Sequence, residues 1–156
     1  MRSRILLWAA LAAFAIDQIS KYLVVHVMRV AEGNIDVLPP LLVFKYGENR
    51  GINFGLFQGD SDTARWVLIG ISLAVAIGVL IWLMRTTPSK LMLFCGGLLI
   101  GGALGNVVDR VLYGYVLDFL NMSCCGLNNP FVFNLADVFI FAGAFGLVLF
   151  EGKKPS

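Results

Sequence analysis

Four apolar segments divide the chain: residues 5–28, 66–84, 91–112 and 131–150. At about 1.5 Å per residue a helix of 20 residues spans roughly 30 Å, the thickness of a bilayer core. The polar breaks differ in kind. Residues 85–90 (RTTPSK) make a tight return, whereas residues 29–64 form the one long polar segment, with Pro39-Pro40, several glycines and charges of both signs. Within it, residues 41–46 (LLVFKY) and 52–57 (INFGLF) have strand composition. They flank GENRG at 47–51, which predicts a hairpin turning at 47–51 with an apolar face on the membrane surface. Residues 116–137 (VLDFLNMSCCGLNNPFVFNLAD) read as a short re-entrant loop between the third and fourth spans. The pattern predicts an all-α membrane protein. It is a four-transmembrane-helix bundle with a small antiparallel β-sheet outside, as one integral membrane domain over residues 1–156.

Composition supports this class. The chain is 58% hydrophobic and 14% charged, more apolar than the 45–50% or so of soluble domains. Arg2 and Arg4 before an apolar run resemble a signal peptide. The run continues past Asp17 without a small-x-small cleavage site, so it reads as a retained helix. A net charge of +2 gives no reason to expect a nucleic-acid partner. Three cysteines, two of them adjacent (Cys124, Cys125), make no disulfide framework and read as thiols. With no Cys/His cluster, neither a metal nor a cofactor is expected. The single histidine, His26, sits in an apolar run and reads as structural, which argues against a histidine-based nucleophile mechanism.

Four spans put both termini on one side. Arg2, Arg4, Arg85, Lys90, Lys153 and Lys154 all fall there, and the positive-inside rule makes it the cytoplasm. Nine polar residues from separate segments then share the outer level: Asp17, Lys21, Asn49, Asn106, Asp109, Arg110, Asp118, Asn134 and Asp137. Asp17 and Lys21, four apart, share a helix face, as a structural ion pair or as part of a site. Asn106, Asp109 and Arg110 lie near one face, and Gly97, Gly101 and Gly105 form a small-xxx-small stripe suited to close helix packing.

Two carboxyl groups sharing a proton can hydrolyse a peptide bond without metal. Asp17 and Asp109 each have a basic residue nearby in sequence (Lys21, Arg110), whereas Asp118 and Asp137 have none, which favours those two as a dyad. The alternative that Asp118 caps a helical turn and Asp137 hydrogen-bonds within the bundle stays open. So do an ion-coupled transporter and an assembly protein. Carboxylates gathered at one depth and a lack of internal repeats count against transport, and the outer polar residues count against a purely structural role.

Five stretches in order then resemble the bacterial lipoprotein signal peptidase family (signal peptidase II): Asp17-Gln18-Ile19-Ser20-Lys21, Asn49-Arg50-Gly51-Ile52-Asn53-Phe54, the run from Gly101 to Arg110, Val116-Leu117-Asp118-Phe119, and Phe133-Asn134-Leu135-Ala136-Asp137. The resemblance implies an inner-membrane aspartic endopeptidase with four spans and a small extracytoplasmic sheet that cradles substrate. It implies Asp118 and Asp137 as the catalytic dyad. Asn49, Gly51, Asn106, Asp109, Arg110 and Asn134 would line the substrate and inhibitor site, and Asp17 and Lys21 would support it. It further implies prolipoprotein substrates cut before a diacylglyceryl-modified cysteine, contact with membrane lipid, inhibition by globomycin-type peptides, a site near the periplasmic face and a monomeric enzyme. Asn53 stands where the family usually has alanine, and Gly55 where serine is common.

Overall fold

A computed structural model describes residues 2–51, 61–124, 126 and 129–151. Four helices and three short strands follow in the order α1 (Arg2–Lys21), β1 (Ile35–Leu38), β2 (Leu42–Asn49), α2 (Ser61–Arg85), α3 (Lys90–Tyr113), β3 (Val116–Asn121) and α4 (Leu135–Phe150). α1 runs on into a π-helical turn, Tyr22–Val27. Among the described residues, three segments are long and apolar enough to cross a membrane: Arg4–Val27, Asp62–Arg85 and Lys90–Tyr113. α4 has 16 residues, about 24 Å of helix.

α3 is the central helix. Its start is fixed by Ser89, whose side chain accepts a hydrogen bond from Met92 N at 3.2 Å. Its end is fixed by Gly114, which takes the left-handed conformation (φ 86°) that a side chain disfavours. Between these caps two glycine-lined faces let neighbours come close. A β-carbon on Gly101 would strike the Ala10 carbonyl and stand 2.9 Å from Ala13 Cβ on α1. One on Gly102 would stand 3.0 Å from Ile140 Cγ1 and strike the Ala136 carbonyl on α4. The glycine stripe therefore serves packing within the bundle, and α2 closes the third side around Leu83, Met92, Leu99 and Ile100.

The sheet caps the end of the bundle where α1 and α3 finish and α4 begins. Its order is β1-β2-β3, antiparallel throughout. The hairpin differs from the sequence expectation. It joins β1 to β2 through residues 39–41, and Gly47, Glu48 and Asn49 stay in β2, opposite Asp118, Leu117 and Val116. Prolines at 39 and 40 supply no backbone donors, so the turn falls there; the GEN run has a partner strand to pair with. Residues 52–57, including Asn53 and Gly55, lie outside the described residues. Residues 116–121 also differ from the expected re-entrant loop, because Val116, Leu117 and Phe119 are buried strand positions. Phe119 packs edge-on against Phe44, ring centroids 5.6 Å apart, in a small core with Val24 and Val30.

One further tie decides where the site falls. Phe133 N donates to Leu120 O at 3.0 Å, and Leu120 N donates to Phe133 O at 2.8 Å. This bridge holds the chain extended until Asn134, so the fourth helix starts at Leu135 and not at residue 131. It also fastens the N-terminus of α4 to β3.

Candidate active site

Asp118 sits at the middle of β3 and Asp137 in the first turn of α4, the two elements that the Leu120–Phe133 bridge joins. Asn134 is the N-cap of α4. Its side-chain oxygen accepts from Asp137 N at 2.9 Å, and Asp137 Oδ2 accepts in return from Asn134 N at 3.4 Å. This capping box turns both side chains inward. With its oxygen committed, the Asn134 amide nitrogen donates to Asp118 Oδ1 at 2.6 Å and to Asn106 Oδ1 at 3.2 Å. Asn106, on α3, donates through Nδ2 to Asp137 Oδ1 at 2.9 Å. Two asparagines thus bridge the two aspartates.

Asp118 is buried, and burial pushes its carboxyl up to about 7. Repulsion from Asp137 adds to the rise, and hydrogen bonds from Asn134 and Asn49 act against it. A carboxyl group in this state is about half protonated at neutral pH, so it can both hold a proton and give it up.

Behind the pair lies a second cluster. Asp17, Lys21 and Asp109 each expose 2% or less of their surface. Lys21 Nζ stands 2.7 Å from Asp17 Oδ2, 2.7 Å from Asp109 Oδ2 and 3.2 Å from Asn106 Oδ1. The cation beside Asp109 is therefore Lys21 and not its sequence neighbour Arg110. Adjacent helix positions point about 100° apart, and Arg110 Nη1 instead reaches the Asn106 carbonyl at 3.4 Å. Gln18, to which sequence reasoning gave no role, donates to Asp17 Oδ2, Asp109 Oδ1 and the Gly105 carbonyl at 3.2, 3.0 and 3.3 Å. Its apolar-run context and single-residue offset from Asp17 carried no signal beyond its place in the motif.

Asp118 opens on a cleft of about 350 Å³ lined by Gly47, Asn49, Arg50, Gly51 and Pro130–Val132. Gly47 lies across the sheet from Asp118, where a β-carbon would stand 3.3 Å from Val132 Cβ and 3.6 Å from Asp118 Cβ. Asn49 folds back in a turn, accepting from Gly51 N at 3.1 Å, and Gly51 has φ 98°. At the rim Arg50 pairs with Glu48 at 2.6 Å and lies over the Tyr115 ring. Arg50 holds the Glu48 carboxyl below its usual range. Asp137 borders a different cavity, about 560 Å³, walled by Phe133, Val138, Phe141 and Ala142. Of the sequence-derived residues, Asp118, Asn49 and Gly51 line the first opening and Asp137 the second, whereas Asn134, Asn106 and Arg110 are buried and line neither. Asp17, Lys21 and Asp109 lie in the closed cluster behind them.

The family model described as Signal peptidase (SPase) II matches residues 9–151. The lipoprotein signal peptidase of Methylorubrum extorquens is 41% identical over 148 residues, covering 95% of this chain and 85% of the relative. That of Caulobacter vibrioides is 41% identical over 148 residues, covering 91% and 85%. Among solved structures, a bacterial membrane enzyme at 1.9 Å resolution superposes with a TM-score of 0.81 at 26% identity, covering 96% of this chain and 93% of its own. A second, at 2.3 Å, gives 0.76 at 25% identity, covering 97% and 92%.

Proposed function

The chain belongs to the signal peptidase II family, and on that premise we propose that it is an aspartic endopeptidase of the bacterial inner membrane. It removes signal peptides from prolipoproteins by cleaving before a diacylglyceryl-modified cysteine. Asp118 and Asp137 are its catalytic residues. One observation carries the assignment: a buried aspartate raised to about 7 is tied through Asn134 and Asn106 to a second aspartate.

The chemistry balances on two carboxyl groups. One, ionised, takes a proton from water as the water oxygen bonds to the scissile carbonyl carbon. The other, protonated, gives its proton to the carbonyl oxygen, and a gem-diol forms. The first then passes its proton to the amide nitrogen while the second takes one back from a diol hydroxyl. The C–N bond breaks, acid and amine leave, and the dyad returns to its starting state. Like charges this close favour sharing a single proton, which keeps one member of each kind.

The two openings suit such a substrate. The cleft beside Asp118 is lined by β2 backbone and Asn49, matching an extended peptide. The cavity beside Asp137 is almost wholly apolar, matching acyl chains or an apolar signal helix. A globomycin-type peptide would compete for the same dyad. We further propose four passes, with both termini cytoplasmic and the sheet end of the bundle at the periplasmic face. α4 spans a short path because Asp137 belongs at the lipid boundary.

The test is a gel-shift assay of the purified protein with a diacylglyceryl-modified prolipoprotein. Wild type should cleave it, and Asp118→Asn and Asp137→Asn should each lose at least about 100-fold in rate while staying folded. Full activity in either variant would remove that residue from the dyad.

A further inference from the structure

Lys21 contacts neither opening, yet it stands behind both catalytic positions. Asp17 Oδ1 accepts a hydrogen bond from Ala136 N at 2.9 Å, the residue before Asp137. Asp109 Oδ2 accepts one from Leu117 N at 3.1 Å, the residue before Asp118. Lys21 Nζ joins the two carboxylates, 2.7 Å from each. The same ammonium reaches Asn106 Oδ1 at 3.2 Å. An ammonium only donates, so that side of the Asn106 amide is oxygen and its Nδ2 must face Asp137.

We propose that Lys21 is a positioning residue for the dyad. Through Asp17 and Asp109 it grips the backbone one residue ahead of each catalytic aspartate, fixing the spacing of the carboxyl groups. Through Asn106 it aims a donor at Asp137, so that Asp137 enters the reaction as the base and Asp118 as the acid. The proposal rests on the dyad reading given above.

The hydrogen bonds agree on the direction. Both Asp137 oxygens accept from N–H groups, Asn106 Nδ2 and Asn134 N. Asp118 accepts on Oδ1 from Asn134, and its burial favours the protonated form. Besides Asp137, the groups whose charge or hydrogen bonds act on Asp118 are Asn134, Asn49 and Lys21, and the Arg110 guanidinium feels Asp137, Asp109 and Asp118 together. Repulsion from Asp137 acts on Asp118, so the spacing of the two carboxyl groups sets how strongly that repulsion raises the Asp118 carboxyl.

The experiment measures kcat and KM against pH, from about 5 to 9, for wild type, Lys21→Met and the double variant Lys21→Met with Asp17→Asn. The double variant keeps the net charge of the three-residue cluster at −1, since one negative and one positive charge go together. The amide oxygen that Asp17→Asn leaves in place can still accept from Ala136 N. It tests the idea should the single variant fail to fold. Dyad variants Asp118→Asn and Asp137→Asn run beside them. Released carboxyl groups repel less, and Asp137 loses a fixed donor. The bell should narrow from both sides, with kcat down about 10-fold or more and KM within about 2-fold. A residue that merely held the fold together would lower the amount of active enzyme and leave the width of the bell alone. A folded Lys21 variant with the wild-type bell and kcat overturns the proposal while inactive dyad variants leave the function standing. An inactive wild type, or active dyad variants, overturns the function itself.

Discussion

Asp118→Asn should make the protein more stable above neutral pH than the wild type. The native carboxyl rises from the ordinary 3.8 to about 7. Between those values the folded chain holds a proton that the unfolded chain has released. Folding then binds protons, and stability falls as pH climbs through this window. At about 1.4 kcal/mol for each pH unit between the two values, the wild type loses about 4 kcal/mol from pH 4 to pH 8 through this one group. Asparagine does not titrate. Its Oδ1 can still accept from Asn134, so the variant keeps the short hydrogen bond and loses the buried charge. Thermal unfolding of the purified membrane protein across pH 4 to 8 tests this. For a chain of this length about 4 kcal/mol is roughly 10 °C of midpoint. Wild type and variant should coincide near pH 4 and separate by about that amount at pH 8. Parallel curves with no separation would refute the raised carboxyl and with it the acid role of Asp118.

Two further substitutions probe the frame around the dyad. Gly101→Leu pushes a side chain into the Ala10 carbonyl and Ala13; it should cost at least about 2 kcal/mol, read as a lower thermal midpoint, and a midpoint equal to wild type would contradict the close α1–α3 packing. Asn134→Ala removes the helix cap and the donor to Asp118. It should lower stability by about 1 kcal/mol yet reduce cleavage by about 100-fold, so a loss of activity no larger than the loss of folded protein would deny it a place in the site.

Long apolar runs made the helices legible, because a span of 20 residues is a strong signal that needs no partner to interpret. Asp118 and Asp137 stood out for a similar local reason: neither has a cation nearby in sequence. The strands were harder to read. Val116–Asn121 is buried at nearly every position, so it lacks the alternation of a half-exposed strand, and only its pairing with β2 makes it one. The hairpin slipped because Gly47 and Asn49 look like turn residues in isolation. In the fold Gly47 lies across the sheet from Asp118 and Asn49 turns only after the strand has ended. The pairing of Lys21 with Asp109, 88 positions away, had no local trace at all.

That pairing also answers why three charges lie buried behind the proposed dyad. Taking Asp17, Lys21 and Asp109 out of water costs several kcal/mol for each ion, and apolar residues of the same volume would often hold helices together as well or better. Stability alone therefore does not account for the cluster. Its carboxylate oxygens instead serve backbone donors at Leu117 and Ala136, positions that belong to neither α1 nor the body of α3. β3 and the start of α4 are joined on one side by the Leu120–Phe133 bridge and by the Asn134 amide, which reaches Asp118 Oδ1 and the Leu117 carbonyl. Those ties all lie between the two elements themselves. Two additional anchors on the far side, joined by one ammonium, fasten both elements to the ends of α1 and α3. A dyad sharing one proton needs its carboxyl groups held to within about half an ångström. A rigid charged clamp meets that need where a deformable apolar contact would not.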